Sequence, residues 1–132
     1  MVEVYSTALS GLNASSRRLQ VSGNNVANAF STVQTAPNGS LVNDPYRAQR
    51  VAQTSLEGGG VRSRTVEDPN PTVRVFDPSS PVASSDGTVE APNVALDEEV
   101  VQQQIASYDF QANLKVIKTQ KEMDQALLDI KA

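Results

Sequence analysis

The sequence predicts a mainly α protein with a small β part, an α+β class. Long N- and C-terminal helices pack as an antiparallel, coiled-coil-like pair, with a short-strand, β-rich insert between them. Two observations carry most of this. All seven prolines lie between Pro37 and Pro92, together with five of the seven glycines, so the residues that break helices and set turns are confined to the middle. The flanking segments, 1–36 and 93–132, contain no proline and can each be read for helical periodicity. The expected division is residues 1–31 as an N-terminal helix, 32–92 as insert and extended connector, and 93–132 as a C-terminal helix.

In the first segment Tyr5, Leu12, Leu19 and Val26 recur every seven residues, and three positions after each stands a small residue, Ala8, Ser15, Ser22 or Ala29. Large beside small makes a narrow seam that lets another helix approach closely. An amphipathic helix on an ordinary core is the plainer alternative. From Glu3 to Ala29 such a helix extends roughly 40 Å at 1.5 Å per residue. Its last turns read SGNNVANAFS, residues 22–31. Gly23, Asn24, Asn25 and Asn28 cost an isolated helix roughly 3 kcal/mol relative to alanine. Two explanations stand. The carboxamides, which both donate and accept, bond to adjacent copies when buried between subunits, or the helix frays at Gly23 and the asparagines cap its end.

The C-terminal segment offers Asn93, after Pro92, as a cap. It places Asp97, Glu98 and Glu99 early and Lys115, Lys118, Lys121 and Lys131 late, which suits the helix dipole. Its apolar residues fall on two stripes. Val101, Ile105, Ala112, Val116, Met123 and Ile130 form one; Phe110, Leu114, Ile117 and Leu128 form another, about 140° away. One partner cannot cover both stripes of a helix roughly 50 Å long. The second face therefore points to self-assembly or a homologous partner, unless the insert folds back onto it.

Three runs rich in Val, Arg and Thr, Tyr46 to Gln53, Val61 to Val66 and Thr72 to Phe76, read as short strands. EGGG, EDPNP and DPSSP separate them with turn residues. Residues 77–93 read as an extended connector with a turn at Asp86-Gly87.

Composition narrows function. Of 132 residues 39% are hydrophobic and 5% aromatic, with no tryptophan, which argues against a dense, self-sufficient core. Yet Leu, Ile, Val and Phe together make up about a quarter of the chain, above the level typical of disorder. The net charge of −4 argues against a phosphate-binding surface and hence against nucleic acid. Cysteine and histidine are absent, which removes disulfides, the usual soft metal ligands and every Cys or His nucleophile or base. Gly58 to Gly60 lacks the lysine and hydroxyl of a phosphate-binding loop, and SSDG lacks the alternating oxygen ligands of a calcium loop. No serine and lysine stand at a spacing that singles out a catalytic pair. The expectation is a chain without catalytic, cofactor-binding or metal residues and without a small-molecule substrate. MVEVYSTALSGL has neither a basic leader nor a continuous apolar run, so a cleaved signal peptide and direct membrane insertion are not expected.

ALSGLNASSRRLQVSGNNVANAFS, residues 8–31, resembles the N-terminal signature of bacterial flagellar rod and hook proteins. Residues 91–130 resemble that family's C-terminal helix, with Tyr108, Gln111, Ala112, Asn113, Lys115, Val116 and Ile117 on its pattern. VEDPNPTVRVFDPSSPVASSDGTVEAPNV is similar to the short linker of the family's proximal rod members. The resemblance implies a structural subunit and not an enzyme. It implies export by the flagellar type III apparatus and a place in the basal-body rod in the periplasm, the two terminal helices forming an inner coiled-coil layer. Implied partners are copies of itself, other rod proteins, a basal-body ring adaptor and the export apparatus. A helical adaptor or chaperone of the export system is the alternative. The residues expected at assembly interfaces are Tyr5, Leu12, Leu19, Asn24, Asn25, Val26, Asn28, Ile105, Tyr108, Phe110, Asn113, Leu114, Ile117 and Met123.

Overall fold

The computed structural model of the chain describes residues 2–33 and 46–131, so residues 34–45 of the expected insert lie outside the described part. Its elements in order are α1 (Val2–Asn28), β1 (Gln49–Ser55), β2 (Val61–Glu67), β3 (Thr72–Phe76), β4 (Thr88–Pro92) and α2 (Leu96–Lys131). At 27 and 36 residues the helices span roughly 40 Å and 54 Å at 1.5 Å per residue.

The helices run antiparallel. The start of α1 meets the end of α2 where the Tyr5 hydroxyl donates to Asp124 Oδ2 at 3.0 Å. The end of α1 meets the start of α2 where Ser22 Oγ donates to the Glu99 carbonyl at 3.1 Å. Close approach comes from small residues: Ala8, Ser15 and Ser22 of α1 and Ala106 of α2 are all buried. Gly11 is tighter still, because a Cβ there would meet the Asn113 carboxamide at 2.6 Å.

The heptad reading of α1 is half realised. The small row, Ala8, Ser15 and Ser22, is buried; of the large row, Leu12 and Val26 are half-buried and Leu19 is exposed. The buried arc also includes Val21 and Asn25, so it turns away from the large row by roughly a quarter to a third of a turn. Burial follows the side that lets backbones come together, because β1 and β2 claim the adjoining flank.

Those strands form an antiparallel hairpin with Gln49 opposite Glu67 and Ser55 opposite Val61. The hairpin lies along α1, its turn against the first helical turns. Gly59 and Gly60 have φ of 86° and 84°, the left-handed region open to glycine. A Cβ on Gly60 would also strike Ser10 Oγ. That same oxygen accepts the Val61 amide at 3.0 Å.

The sequence reading of residues 77–93 as connector is corrected in its second half. Thr88–Pro92 is a fourth strand, antiparallel to β3 with Val75 opposite Val89, and Val33 bridges its other side at Glu90. The turn expected at Asp86-Gly87 is present and closes this pair. Gly87 has φ of 73°, and Asp86 Oδ1 accepts the Thr88 amide at 3.1 Å and the Thr88 hydroxyl at 2.8 Å. The Thr88 hydroxyl, its largest influence, holds the Asp86 carboxyl below the usual range. The cap assignment is corrected too. α2 opens at Leu96 with the Glu99 amide bonded to the Ala95 carbonyl. Asn93 instead ties the insert together, its amide donating to Pro71 O and its carboxamide to Asn70 O, both at 3.0 Å.

Gly60→Ala is expected to destabilise the hairpin by about 1 to 3 kcal/mol, through φ strain and the clash with Ser10. Amide exchange at Val61 should accelerate while exchange at Ala106 is unchanged, and equal protection of Val61 in both proteins would refute the docking role.

Candidate functional site

What the helix pair buries is mostly not what the apolar pattern marks. Glu99, Ala106, Asn113 and Gln120 stand seven apart on α2, as do Gln103, Ile117 and Asp124 with Phe110 between them; all but the exposed Phe110 are buried or half-buried. This is a coiled-coil spacing carried largely by polar and small residues. At 100° per residue one apolar stripe, with Val101, Ile105, Val116 and Met123, lies to one side of it, while the other runs along its opposite edge and shares Phe110 and Ile117 with it. Both are open to solvent. Val101, Ile105, Val116 and Met123 are exposed on one side, Phe110, Leu114 and Leu128 on the other. Among the described residues the insert does not fold back onto either, since β1 and β2 pack on α1.

At the closed end of the pair, one residue joins three elements. Asn25 is 2% exposed. Its Nδ2 donates to Gln49 O at 2.8 Å and to Glu99 Oε1 at 2.5 Å. Its Oδ1 accepts the Tyr46 hydroxyl at 2.7 Å and the Gln49 amide at 3.0 Å. All four bonding positions of the carboxamide are filled, which binds the last turns of α1 to the entry of β1 and the first turn of α2. Burial, and then the negative charge of Glu99, push the Tyr46 hydroxyl above its ordinary pKa. Seven residues earlier, Arg18 repeats the arrangement. Its guanidinium donates to Asp109 Oδ2 at 2.9 Å and to Gln53 Oε1 at 2.8 Å, linking α1 to α2 and β1 in one residue.

The structure thus sorts the interface residues expected from sequence. Tyr5, Asn25 and Asn113 join the contact within the chain: Tyr5 on Asp124, Asn25 at its junction, and Asn113 beneath Gly11 with Nδ2 on the Asp109 carbonyl at 2.8 Å. Leu12, Val26, Asn28 and Ile117 are half-buried; Leu19, Asn24, Ile105, Tyr108, Phe110, Leu114 and Met123 are exposed. The fraying explanation of the asparagines does not hold, because α1 passes through Gly23 and ends at Asn28. Asn28 Nδ2 bonds back to the Asn24 carbonyl at 2.8 Å, and the Asn28 carbonyl accepts the Ser31 amide and hydroxyl. Arg18, Tyr46, Glu99 and Ala106 were missed by sequence reasoning. The seven-residue repeat of Glu99, Ala106, Asn113 and Gln120 could have revealed two of them had periodicity been sought in all residue types.

Among the described residues no group of carboxylates is arranged to hold a metal ion, and no helix is long and apolar enough to cross a membrane. No buried side-chain nitrogen or oxygen among them lacks a partner. The arrangement offers surfaces for contact: a polar junction at one end and long apolar stripes on a helix pair.

Residues 6–33, α1 with the chain beyond it, match the family of flagella basal body rod proteins. Residues 85–130, β4 with α2, match the C-terminal region of the flagellar basal body rod FlgEFG proteins. The chain belongs to the flagellar basal-body rod protein family. Its similarity extends nearly end to end to FlgC members. It is 40% identical to the flagellar basal-body rod protein FlgC of Yersinia enterocolitica over 129 residues, 93% of this chain and 92% of that one. It is 36% identical to FlgC of Salmonella typhimurium over the same shares. It is 34% identical to FlgC of Buchnera aphidicola from Acyrthosiphon pisum over 98% of this chain and 97% of that protein. This makes it a structural subunit of the basal-body rod, of the FlgC kind.

Asn25→Ala leaves the Glu99 carboxylate and Gln49 backbone without partners and is expected to cost about 2 to 4 kcal/mol. Urea unfolding should show the loss, with faster exchange of the Gln49 amide; a change under 0.5 kcal/mol would show the junction to be dispensable. Because the Tyr46 pKa is raised, the unfolded chain loses its phenol proton first as pH rises. Stability is therefore undiminished below about pH 10 and falls above it. Tyr46→Phe should flatten that alkaline decline in thermal scans.

Proposed function

We propose that the chain is a structural subunit of the flagellar proximal rod that polymerises through its two terminal helices, so forming part of the drive shaft and of the wall of the export channel. One observation carries this reading. α1 packs on a largely polar strip of α2, half-burying Ile117, and leaves Val101, Ile105, Val116 and Met123 on one stripe and Phe110, Leu114 and Leu128 on the other exposed, at a cost on the order of 25 cal/mol for each Å² of apolar surface kept in water. Monomeric soluble proteins rarely expose long runs of large apolar side chains along one helix, and such surface ordinarily marks a protein contact. The interface residues are the exposed members of the expected set: Leu19, Asn24, Ile105, Tyr108, Phe110, Leu114 and Met123, with Leu12, Val26, Asn28 and Ile117 at their margins.

The chain acts on no substrate and carries no cofactor. Its partners are copies of itself, other rod proteins, a ring adaptor and the type III export apparatus. It reaches the periplasm through that apparatus without a cleaved signal peptide. Two slender helices with open faces support this route, since isolated helices depend on tertiary packing and unfold at modest cost.

A strain lacking the gene is expected to be non-motile and to lack assembled rods in electron micrographs of its basal bodies; normal motility would overturn the reading. In the dilute monomer, amides of α2 beyond Asp124 should exchange far faster than those near Ala106, because the contact with α1 reaches only as far as the Tyr5–Asp124 bond. Uniform strong protection along α2 at micromolar concentration would count against assembly as the stabilising event. Asn24→Ala with Asn28→Ala should raise monomer helicity slightly and weaken assembly.

A further inference from the structure

Acid and base are separated along the same apolar stripe of α2. In its N-terminal part Val101 and Ile105, 51% and 41% exposed, are flanked by the exposed carboxylates of Asp97 and Glu98. Neither acid makes an ion pair or hydrogen bond among the described residues. The other two acids of this half are engaged, Glu99 by Asn25 and Asp109 by Arg18. In its C-terminal part the stripe forms an apolar groove with the start of α1, lined by Val4, Ala112, Val116 and Met123 and bordered by Lys115. Lys115 has no anionic partner among the described residues, and Lys118 has only a distant one in Glu122 at 3.9 Å. Glu3 borders the neighbouring depression, on the side of Thr7 and Ala8. It leaves the Lys115 side as the approach open to an anion.

From this pairing we infer that the groove receives the first turns of α2 of a second copy of this chain, Val101 and Ile105 seating beside Val116 and Met123 while Asp97 and Glu98 meet Lys115. The inference rests on the rod reading and adds the contact and its direction. The two patches complement each other in a head-to-tail contact and in an antiparallel two-fold one alike; the rod reading, an assembly that continues from copy to copy, selects the head-to-tail contact. Such contacts close into rings or continue as open helices, whereas a two-fold contact stops at a dimer. The patches lie roughly 15 residues apart, so successive copies are displaced by about 20 Å to 25 Å along the helix axis.

The chain contains no cysteine, which makes site-directed linking unambiguous. Motile cells producing the Ile105→Cys, Val116→Cys chain and treated with a short bismaleimide should yield a ladder of covalent multimers, while neither single variant links to itself. Glu98→Lys and Lys115→Glu should each reduce swimming about tenfold or more, and the two combined in one chain should restore it, with circular dichroism confirming that each variant is folded. Dimers of a single variant, links to a different protein, monomers only in motile cells, or unimpaired swimming of both charge variants would each overturn the contact. None of these disturbs the rod reading, which stands or falls on the deletion strain.

Discussion

The fold depends on how closely α1 can approach α2, and that approach is made by small and polar side chains. Gly11 sits over the Asn113 carboxamide, Ala8, Ser15 and Ser22 line one helix, and Ala106 is almost completely enclosed on the other. Such a seam contributes dispersion contacts and hydrogen bonds but little transferred apolar area. It gains uniqueness in exchange, because a polar group buried without its partner costs more than a satisfied one contributes. Sliding one helix past the other by a turn would separate Asn25 from Glu99, Arg18 from Asp109 and Tyr5 from Asp124 together.

The junction around Asn25 extends this constraint to the insert. A single carboxamide bonded to Gln49, Tyr46 and Glu99 holds the entry of the hairpin relative to both helices. Arg18 repeats the link further along, and Ser10 repeats it at the hairpin turn. The hairpin is thereby laid along α1, away from the apolar stripes of α2. Burial is concentrated where α1, α2 and the hairpin meet; toward Ile130, which is 83% exposed, it falls away. That distribution leaves most of the apolar surface of α2 uncovered within one subunit.

Confinement of proline to the middle and the two long periodic ends made the helix–insert–helix plan legible without coordinates, and three strands stood in their runs of Val, Arg and Thr with only small shifts at the ends. β4 did not stand out. TVEAP contains a proline and one β-branched pair, and it becomes a strand because β3 and Val33 supply ladders on its two sides. Asn93 has the chemistry of a helix cap, yet its carboxamide is taken by Asn70. Local propensity ranks what a residue can do, and tertiary partners select among those options.

The helix–insert–helix order, the two-sided greasiness of α2 and the absence of thiols and imidazoles are properties of the chain itself, because they depend on residue type and spacing alone. Which face of α2 would meet α1 was decided only in three dimensions. The apolar stripes advertised themselves, but closeness of backbones, governed by Gly11, Ser22 and Ala106, and the pairing of Asn25 and Arg18 across chain-distant elements favoured a largely polar strip that takes in only Phe110 and Ile117 of them. Asn25 and Glu99 lie 74 residues apart, so the seven-residue spacing on each helix marks which residues share a face but not which residue of one helix meets which of the other.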